Sequence, residues 1–287
     1  MEFIELLQNQ AWVFYGLIVF IGLAFGSFLN VVIYRLPIML EKEWRSQCTE
    51  FLELEKTETS ETFTLAAPAS SCPQCGHKIR FWENIPLISY LVLRGRCSSC
   101  QSHISLEYPL VEAVTAMLSV MVAYHYGVSW QTVTALVLTW SLITLTMIDF
   151  HKQLLPDNIT LPLLWLGILC NLFGLFTDLE SSVIGAIAGY LSLWSVYHLF
   201  RLLTGKEGMG YGDFKLLAVL GAWLGWKLLP VIIVLSSFVG AVIGIAMIVL
   251  VRHDKNIPIP FGPYLAIAGW ISLIWGDAIM NIWLGPF

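Results

Sequence analysis

Uncharged runs recur along the chain at the length a bilayer demands. Ala11 to Tyr34 carries no charge, and neither does Ala113 to Ile148. A helix crosses a hydrocarbon core with about 20 apolar residues. The second run is therefore two crossings, divided at Tyr124-His125-Tyr126-Gly127-Val128-Ser129-Trp130, where aromatic residues and a glycine suit a turn at the interface. Asn158 to Thr177, Ser181 to Phe200, Leu228 to Val251 and Ile257 to Gly276 are four further segments. Phe214 to Trp226 is short and holds Lys215, so it reads as a full crossing or as a re-entrant piece.

Charge placement chooses between these. Basic residues collect in short cytoplasmic loops. With eight crossings, every Lys and Arg except Lys227 falls on one side, including Arg252 and Lys255. Without a crossing at 214–226, those two move outside. Eight crossings with both termini outside the cytoplasm is the expected topology. Glu2 and Glu5 precede the first apolar run where a cleaved signal peptide carries basic residues, so that run is expected to be a permanent helix. Four Gly-x-x-x-Gly pairs, Gly22/Gly26, Gly185/Gly189, Gly221/Gly225 and Gly240/Gly244, point to closely packed helices. No internal repeat supports an inverted-repeat transporter.

Composition agrees. Of 287 residues, 57% are hydrophobic and 12% charged, where soluble domains average roughly 25% charged. Mean hydropathy is +0.74. A net charge of −5 argues against a nucleic-acid partner. The expected architecture is an all-α polytopic membrane protein, with the lipid bilayer as its surroundings. Residues 1–36 form the first transmembrane helix, 37–107 a cytoplasmic loop, and 108–287 a transmembrane catalytic bundle. Within the loop, Glu41 to Glu61 reads as an acidic, solvated spacer.

Cys72-Pro73-Gln74-Cys75 and Cys97-Ser98-Ser99-Cys100 lie in the same loop. Two Cys-x-x-Cys knuckles at this separation form a zinc-ribbon pattern, with four thiolates closing a tetrahedron around Zn²⁺. Disulfides are the competing reading, which a reducing cytoplasm disfavours. Four Cys ligands leave no open position for a reactive water, so the metal is expected to be structural. Gly76 follows the first knuckle, where the backbone folds tightly around sulfur. Cys48 and Cys170 have no such partners.

Neither His-Glu-x-x-His nor Gly-x-Ser-x-Gly occurs. Carboxylates at membrane boundaries remain: Asp149, Asp157, Asp178, Asp213, Asp254, Asp277, Glu107 and Glu112. An N-cap role explains Asp157, and is open to Asp213. Asp149 ends a long uncharged helix and has no such explanation. Asp149 and Asp213 fall at the same cytoplasmic depth, so they can share one water as an aspartic protease pair does. A proton-coupled transporter using the pair as a relay is the alternative. Helix ends carry opposite partial charges of about half a unit, which makes Asp213 the expected base and Asp149 the expected acid.

Gly210-Tyr211-Gly212-Asp213 resembles the Gly-x-Gly-Asp motif of intramembrane aspartic proteases. Most of the chain is similar to the bacterial type IV prepilin peptidases. The likeness is carried by Gly26-Ser27-Phe28-Leu29-Asn30 onward to Pro37, Asn84-Ile85-Pro86-Leu87-Ile88-Ser89-Tyr90, Leu93-Arg94-Gly95-Arg96-Cys97, Leu155-Pro156-Asp157 and Pro260-Phe261-Gly262-Pro263-Tyr264. The resemblance implies a catalytic pair of Asp149 and Asp213. It implies substrates among prepilins and type II secretion pseudopilins, cut after Gly at the cytoplasmic face of the bacterial inner membrane. It also implies methylation of the new amino terminus from S-adenosylmethionine. Gly210 and Gly212 are expected to let the substrate backbone approach closely.

Overall fold

The computed structural model describes residues 2–54, 63–206, 208–250 and 260–284. It forms two compact units, Met1–Val128 and Ser129–Phe287. Among the described residues the regular structure is helical, apart from two isolated antiparallel bridges. Residues 252–259 of the expected 252–260 cytoplasmic loop, Arg252 and Lys255 included, lie outside the described residues, as do 55–62 of the acidic spacer.

The first unit begins with a short helix α1 (Glu2–Asn9) and a long one, α2 (Ala11–Phe51). At 1.5 Å per residue, α2 extends about 60 Å, twice the hydrocarbon thickness. It does not stop near residue 36 but passes through Pro37. The cause is a continuous packing face. Phe14, Ile18, Gly22, Gly26, Leu29, Ile33, Leu36 and Leu40 are buried at helical spacing. Beyond Leu40 the helix is largely exposed and carries an Arg45–Glu41 pair at 2.7 Å, so the start of the acidic spacer is a solvated helix end. The short helix α3 (Ile88–Val92) lies in the cysteine module. The last helix of the unit is α4 (Glu107–Tyr126), which meets α2 through the first glycine pair. A Cβ at Gly22 would lie 2.8 Å from Ala116 Cα, and one at Gly26 would lie 2.8 Å from Glu112 Cα.

The predicted turn after α4 is present: Gly127 takes φ +61°, and Ser129 Oγ accepts from the Thr132 amide at 3.2 Å. This N-cap opens the second unit with α5 (Trp130–Lys152). It continues through α6 (Asp157–Leu172), α7 (Leu179–Thr204), α8 (Tyr211–Leu224), α9 (Leu229–Leu250) and α10 (Gly262–Leu284). Helix α8 is its centre. From Asp213 to Leu224, all but Lys215 are buried. A buried helix end needs partners for its last carbonyls. Asn171 Nδ2 donates to Ala222 O at 2.8 Å and Trp223 O at 3.0 Å, and Ser182 Oγ donates to Ala222 O as well. Trp223 Nε1 donates to Leu163 O at 2.8 Å.

Among the described residues, five helices are long and apolar enough to cross a membrane: Ala11–Phe51, Trp130–Lys152, Leu179–Thr204, Trp226–Ala246 and Gly262–Ile282. Helix α6 is apolar but shorter. Helix α4, with Glu107, Glu112 and His125, and α8, with 14 residues, fall outside this group.

The α7–α8 contact is the tightest of the glycine seams. A Cβ at either Gly185 or Gly221 would collide with the other's carbonyl oxygen, and one at Gly189 would lie 2.6 Å from Leu217 O. Backbone atoms cannot swing aside as a side chain does. Gly221→Val is therefore expected to cost about 1–3 kcal/mol, read as a lowered unfolding midpoint in detergent. Gly16→Ala, where no atom lies within 4 Å, is the neutral control. Equal midpoints for the two variants would contradict the seam.

Candidate active site and metal centre

In the second unit, the chain around Asp149 and Asp213 is drawn together by three short segments. Asp149 lies one turn before the end of α5, and its carbonyl accepts from the Gln153 amide at 2.8 Å. Gln153 takes a left-handed conformation, φ +52°, which ends the helix. The chain then runs through Leu155 and Pro156 into α6. Asp213 is the third residue of α8; Gly210 is the N-cap. The Asp213 carboxyl group hydrogen-bonds back to the Gly210 backbone, the reach of an N3 acid in a capping box. The N-cap reading of Asp213 is thus displaced by one turn.

Asp149 finds a partner that the sequence did not disclose. The Gly262 amide donates to its Oδ2 at 3.0 Å. Gly262 is the first residue of α10, so its N–H is one of the donors a helix start leaves free. Any side chain there would obstruct the bond, since a Cβ would lie 2.6 Å from Asp149 Oδ2. Both carboxylates therefore lie at the positive end of a helix. The expected split, with Asp149 the acid because its own helix ends there, considered α5 alone. The start of α10 offsets that end, and helix termini do not separate the two roles.

Asp149 is 5% and Asp213 7% exposed, and the charge of Asp149 is felt directly at Asp213. Two desolvated carboxylates this close resist ionising together. Carboxylates that feel each other's charge titrate as a pair rather than independently. A pair that shares one proton is chemically able to take a proton from water with one group and give one to a carbonyl with the other.

The two motif glycines differ. A Cβ at Gly210 would have only Asp213 Oδ2 at 3.8 Å and one backbone nitrogen at 4.0 Å nearby, so this side is open. A Cβ at Gly212 would lie 2.8 Å from Leu155 Cβ, so the space beside Gly212 is filled by the protein's own leucine. Asp157 is the first residue of α6 rather than its N-cap, which is Pro156. Both of its oxygens accept from Lys215 Nζ, at 2.7 and 2.8 Å. A carboxylate so neutralised is poorly suited to acid–base work. Asp178 does cap α7, accepting from the Ser181 amide at 2.8 Å.

The four module cysteines in the first unit also converge. Their sulfur atoms all lie within 4.8 Å of one another. Cys72 to Cys100 is 3.8 Å and Cys75 to Cys97 is 4.0 Å. Zinc–sulfur bonds of about 2.3 Å in a tetrahedron place sulfur atoms about 3.8 Å apart, so the cluster fits the ion. All four cysteines are free thiols, which sets the disulfide reading aside. The knuckles share one backbone form. Cys72 N donates to His77 O and Cys97 N to Ser102 O, each at 2.9 Å. The residue after each second cysteine is left-handed, Gly76 at φ +70° and Gln101 at φ +60°.

The thiols also show the charge problem that a cation solves. The amides of Cys75 and Gln74 and the Ser102 hydroxyl hold Cys72 down to about 6. The His77 amide pulls Cys75 the same way. Even so, desolvation and the neighbouring Cys100, Cys72 and Cys97 sulfurs push it up to about 11. A bridge ties the knuckles together: His77 Nε2 meets Glu83 Oε2 at 3.2 Å and Ser98 Oγ at 3.3 Å. The Arg80 amide, the Ser98 hydroxyl and His77 hold Glu83 down to about 2, so it stays ionised.

Two sequence families cover these two units. Residues 20–126 match the bacterial peptidase A24 N-terminal domain, and residues 136–245 match the type IV leader peptidase family. A prepilin leader peptidase/N-methyltransferase of Stutzerimonas stutzeri is 57% identical, over 98% of this chain and 97% of its own. The protein of that name in Pseudomonas aeruginosa is 55% identical over 99% and 98%. The one in Legionella pneumophila is 45% identical over 98% of both chains.

The chain belongs to the type IV leader peptidase family.

No solved structure matches it. Within this leader peptidase, Gly262 and Leu155 are the site residues that sequence reasoning left without a role. Both lie in motifs it quoted, but neither has a side chain that announces chemistry.

One zinc per chain is expected on metal analysis, lost in Cys72→Ser. Chelation is expected to open the segment 72–100 to protease while the second unit stays intact. Full protection of that segment in metal-free protein would count against a structural metal.

Proposed function

We propose that this protein is a membrane aspartic endopeptidase that removes the leader of type IV prepilins and pseudopilins and then N-methylates the new amino terminus. The peptidase and methyltransferase activities are those named for relatives at 55–57% identity over nearly the whole chain. The observation that carries the peptidase reading is the paired burial of Asp149 and Asp213, each held by a backbone amide at a helix start.

Asp149 and Asp213 are the proposed catalytic pair. The ionised carboxyl group accepts a proton from a water molecule held between them. The protonated one donates to the scissile carbonyl oxygen, and the water oxygen bonds to its carbon. Collapse of the tetrahedral adduct breaks the carbon–nitrogen bond: the proton taken from water passes to the leaving nitrogen, and one hydroxyl of the adduct returns its proton to the other carboxylate as the carbonyl re-forms. Gly210 offers the open side along which an extended backbone approaches. Cleavage follows Gly at the end of the leader. S-adenosylmethionine supplies the methyl group in the second reaction. Zinc held by Cys72, Cys75, Cys97 and Cys100 supplies a structural cross-link to the module.

The same reading places the chain in the bacterial inner membrane with eight crossings, α4, α6 and α8 among them, and the pair at the cytoplasmic face. One feature supports a recessed site. Tyr197 of α7 packs on Tyr211 at the start of α8, with ring centroids 5.4 Å apart. Helix α7 continues to Thr204, roughly 10 Å further. The start of α8 therefore stops short of the end of its long neighbour.

Asp149→Asn and Asp213→Asn are each expected to lower cleavage of a purified prepilin by about 10² to 10⁴. Methylation of an already processed pilin is expected to survive both changes. Near-normal cleavage by either variant would remove the pair as the catalytic centre.

A further inference from the structure

Leu155 touches both halves of the site. It is 8% exposed and lies on the short segment between α5 and α6. On one side it packs on Gly212, the residue before Asp213: a Cβ there would meet Leu155 Cβ at 2.8 Å and Cδ1 at 3.1 Å. On the other side it packs on Gly262, whose amide holds Asp149: a Cβ there would meet Leu155 Cδ1 at 3.2 Å. One branched apolar side chain is thus wedged between two bare backbones, each attached to one carboxylate of the pair.

We infer that Leu155 is a specificity-determining residue, the wall that restricts the residue on the leader side of the cleaved bond to Gly. This rests on the peptidase reading above. A carbonyl reached by both carboxylates must lie near the backbone that carries Asp213 and the backbone whose amide holds Asp149. Leu155 already occupies the space between those backbones. The α-carbon next to that carbonyl is the part of the substrate nearest to it. A glycine there presents only hydrogens to the leucine, whereas an alanine presents a methyl group. The wedge is held on both faces by backbone, and Pro156 follows it directly, so it has little freedom to retreat. One methyl group in a tight pocket is worth roughly 10- to 200-fold in discrimination.

The test uses the full-length enzyme in detergent and two prepilins that differ only in Gly or Ala at the last leader position. kcat/KM is measured for wild type, Leu155→Ala and Leu155→Val. Wild type is expected to prefer Gly. The Gly-to-Ala ratio is expected to fall at least about tenfold in Leu155→Ala and by less in Leu155→Val. An unchanged ratio in a folded variant overturns the inference, as does equal loss on both substrates. If Leu155→Ala does not fold, the ratio in Leu155→Val decides by the same criterion. Failure of wild type to cut the Gly substrate would instead overturn the peptidase reading, so the two failures are distinct.

Discussion

A hydrogen bond from the Gly262 amide to the Asp149 carboxylate joins α10 to α5, at 3.0 Å. It resolves the main difficulty of this site. A carboxylate nearly closed to water loses its hydration, and no Lys or Arg is paired with Asp149 among the described residues. A backbone donor at a helix start returns part of that stabilisation without neutralising the group as a cation would. Asp213 is treated alike, through the start of its own helix. By contrast, Asp157 is bound through both oxygens to Lys215. On the proposed reading, the distinction between the catalytic pair and Asp157 lies in the partner rather than in the acid.

Much of the remaining packing serves to make that placement possible. Helix α8 has to be short and buried to carry Asp213 inside the second unit. Asn171 and Ser182 satisfy its C-terminal carbonyls, and Gly185, Gly189 and Gly221 admit α7 to backbone contact. The first unit faces a related charge problem. Four sulfur atoms within 4.8 Å cannot all ionise without a cation. One site brings two buried carboxyl groups under each other's charge; the other concentrates four thiols in an arrangement that fits a metal ion.

Most of the helices were legible as uncharged runs, because periodic burial and membrane length leave a direct trace in composition. The glycine pairs at Gly22/Gly26 and Gly185/Gly189 and the turn at Gly127 were legible for the same reason: each depends on a missing side chain. The cysteine cluster was legible because ligand spacing is local. The continuation of α2 through Pro37 was not, since a buried face on α4 outweighs a local breaker. Nor were the N-terminus of α10 at Asp149 and the wedge of Leu155 between Gly212 and Gly262. These contacts join residues 149, 155, 212 and 262, far apart in sequence, through backbone and an ordinary leucine. For that reason the helix-end argument for separate acid and base roles considered α5 without α10.

The claim that two carboxylates act as one proton-sharing unit is tested most directly by the pH dependence of kcat/KM for leader cleavage. The account predicts a bell-shaped profile. Activity falls at low pH, where both groups are protonated and none can accept from water. It falls again at high pH, where both are ionised and none can donate. Methylation of processed pilin, followed in the same preparations, should not share the two limbs. A cleavage profile with a single limb, or one that methylation follows step for step, would contradict a catalytic pair.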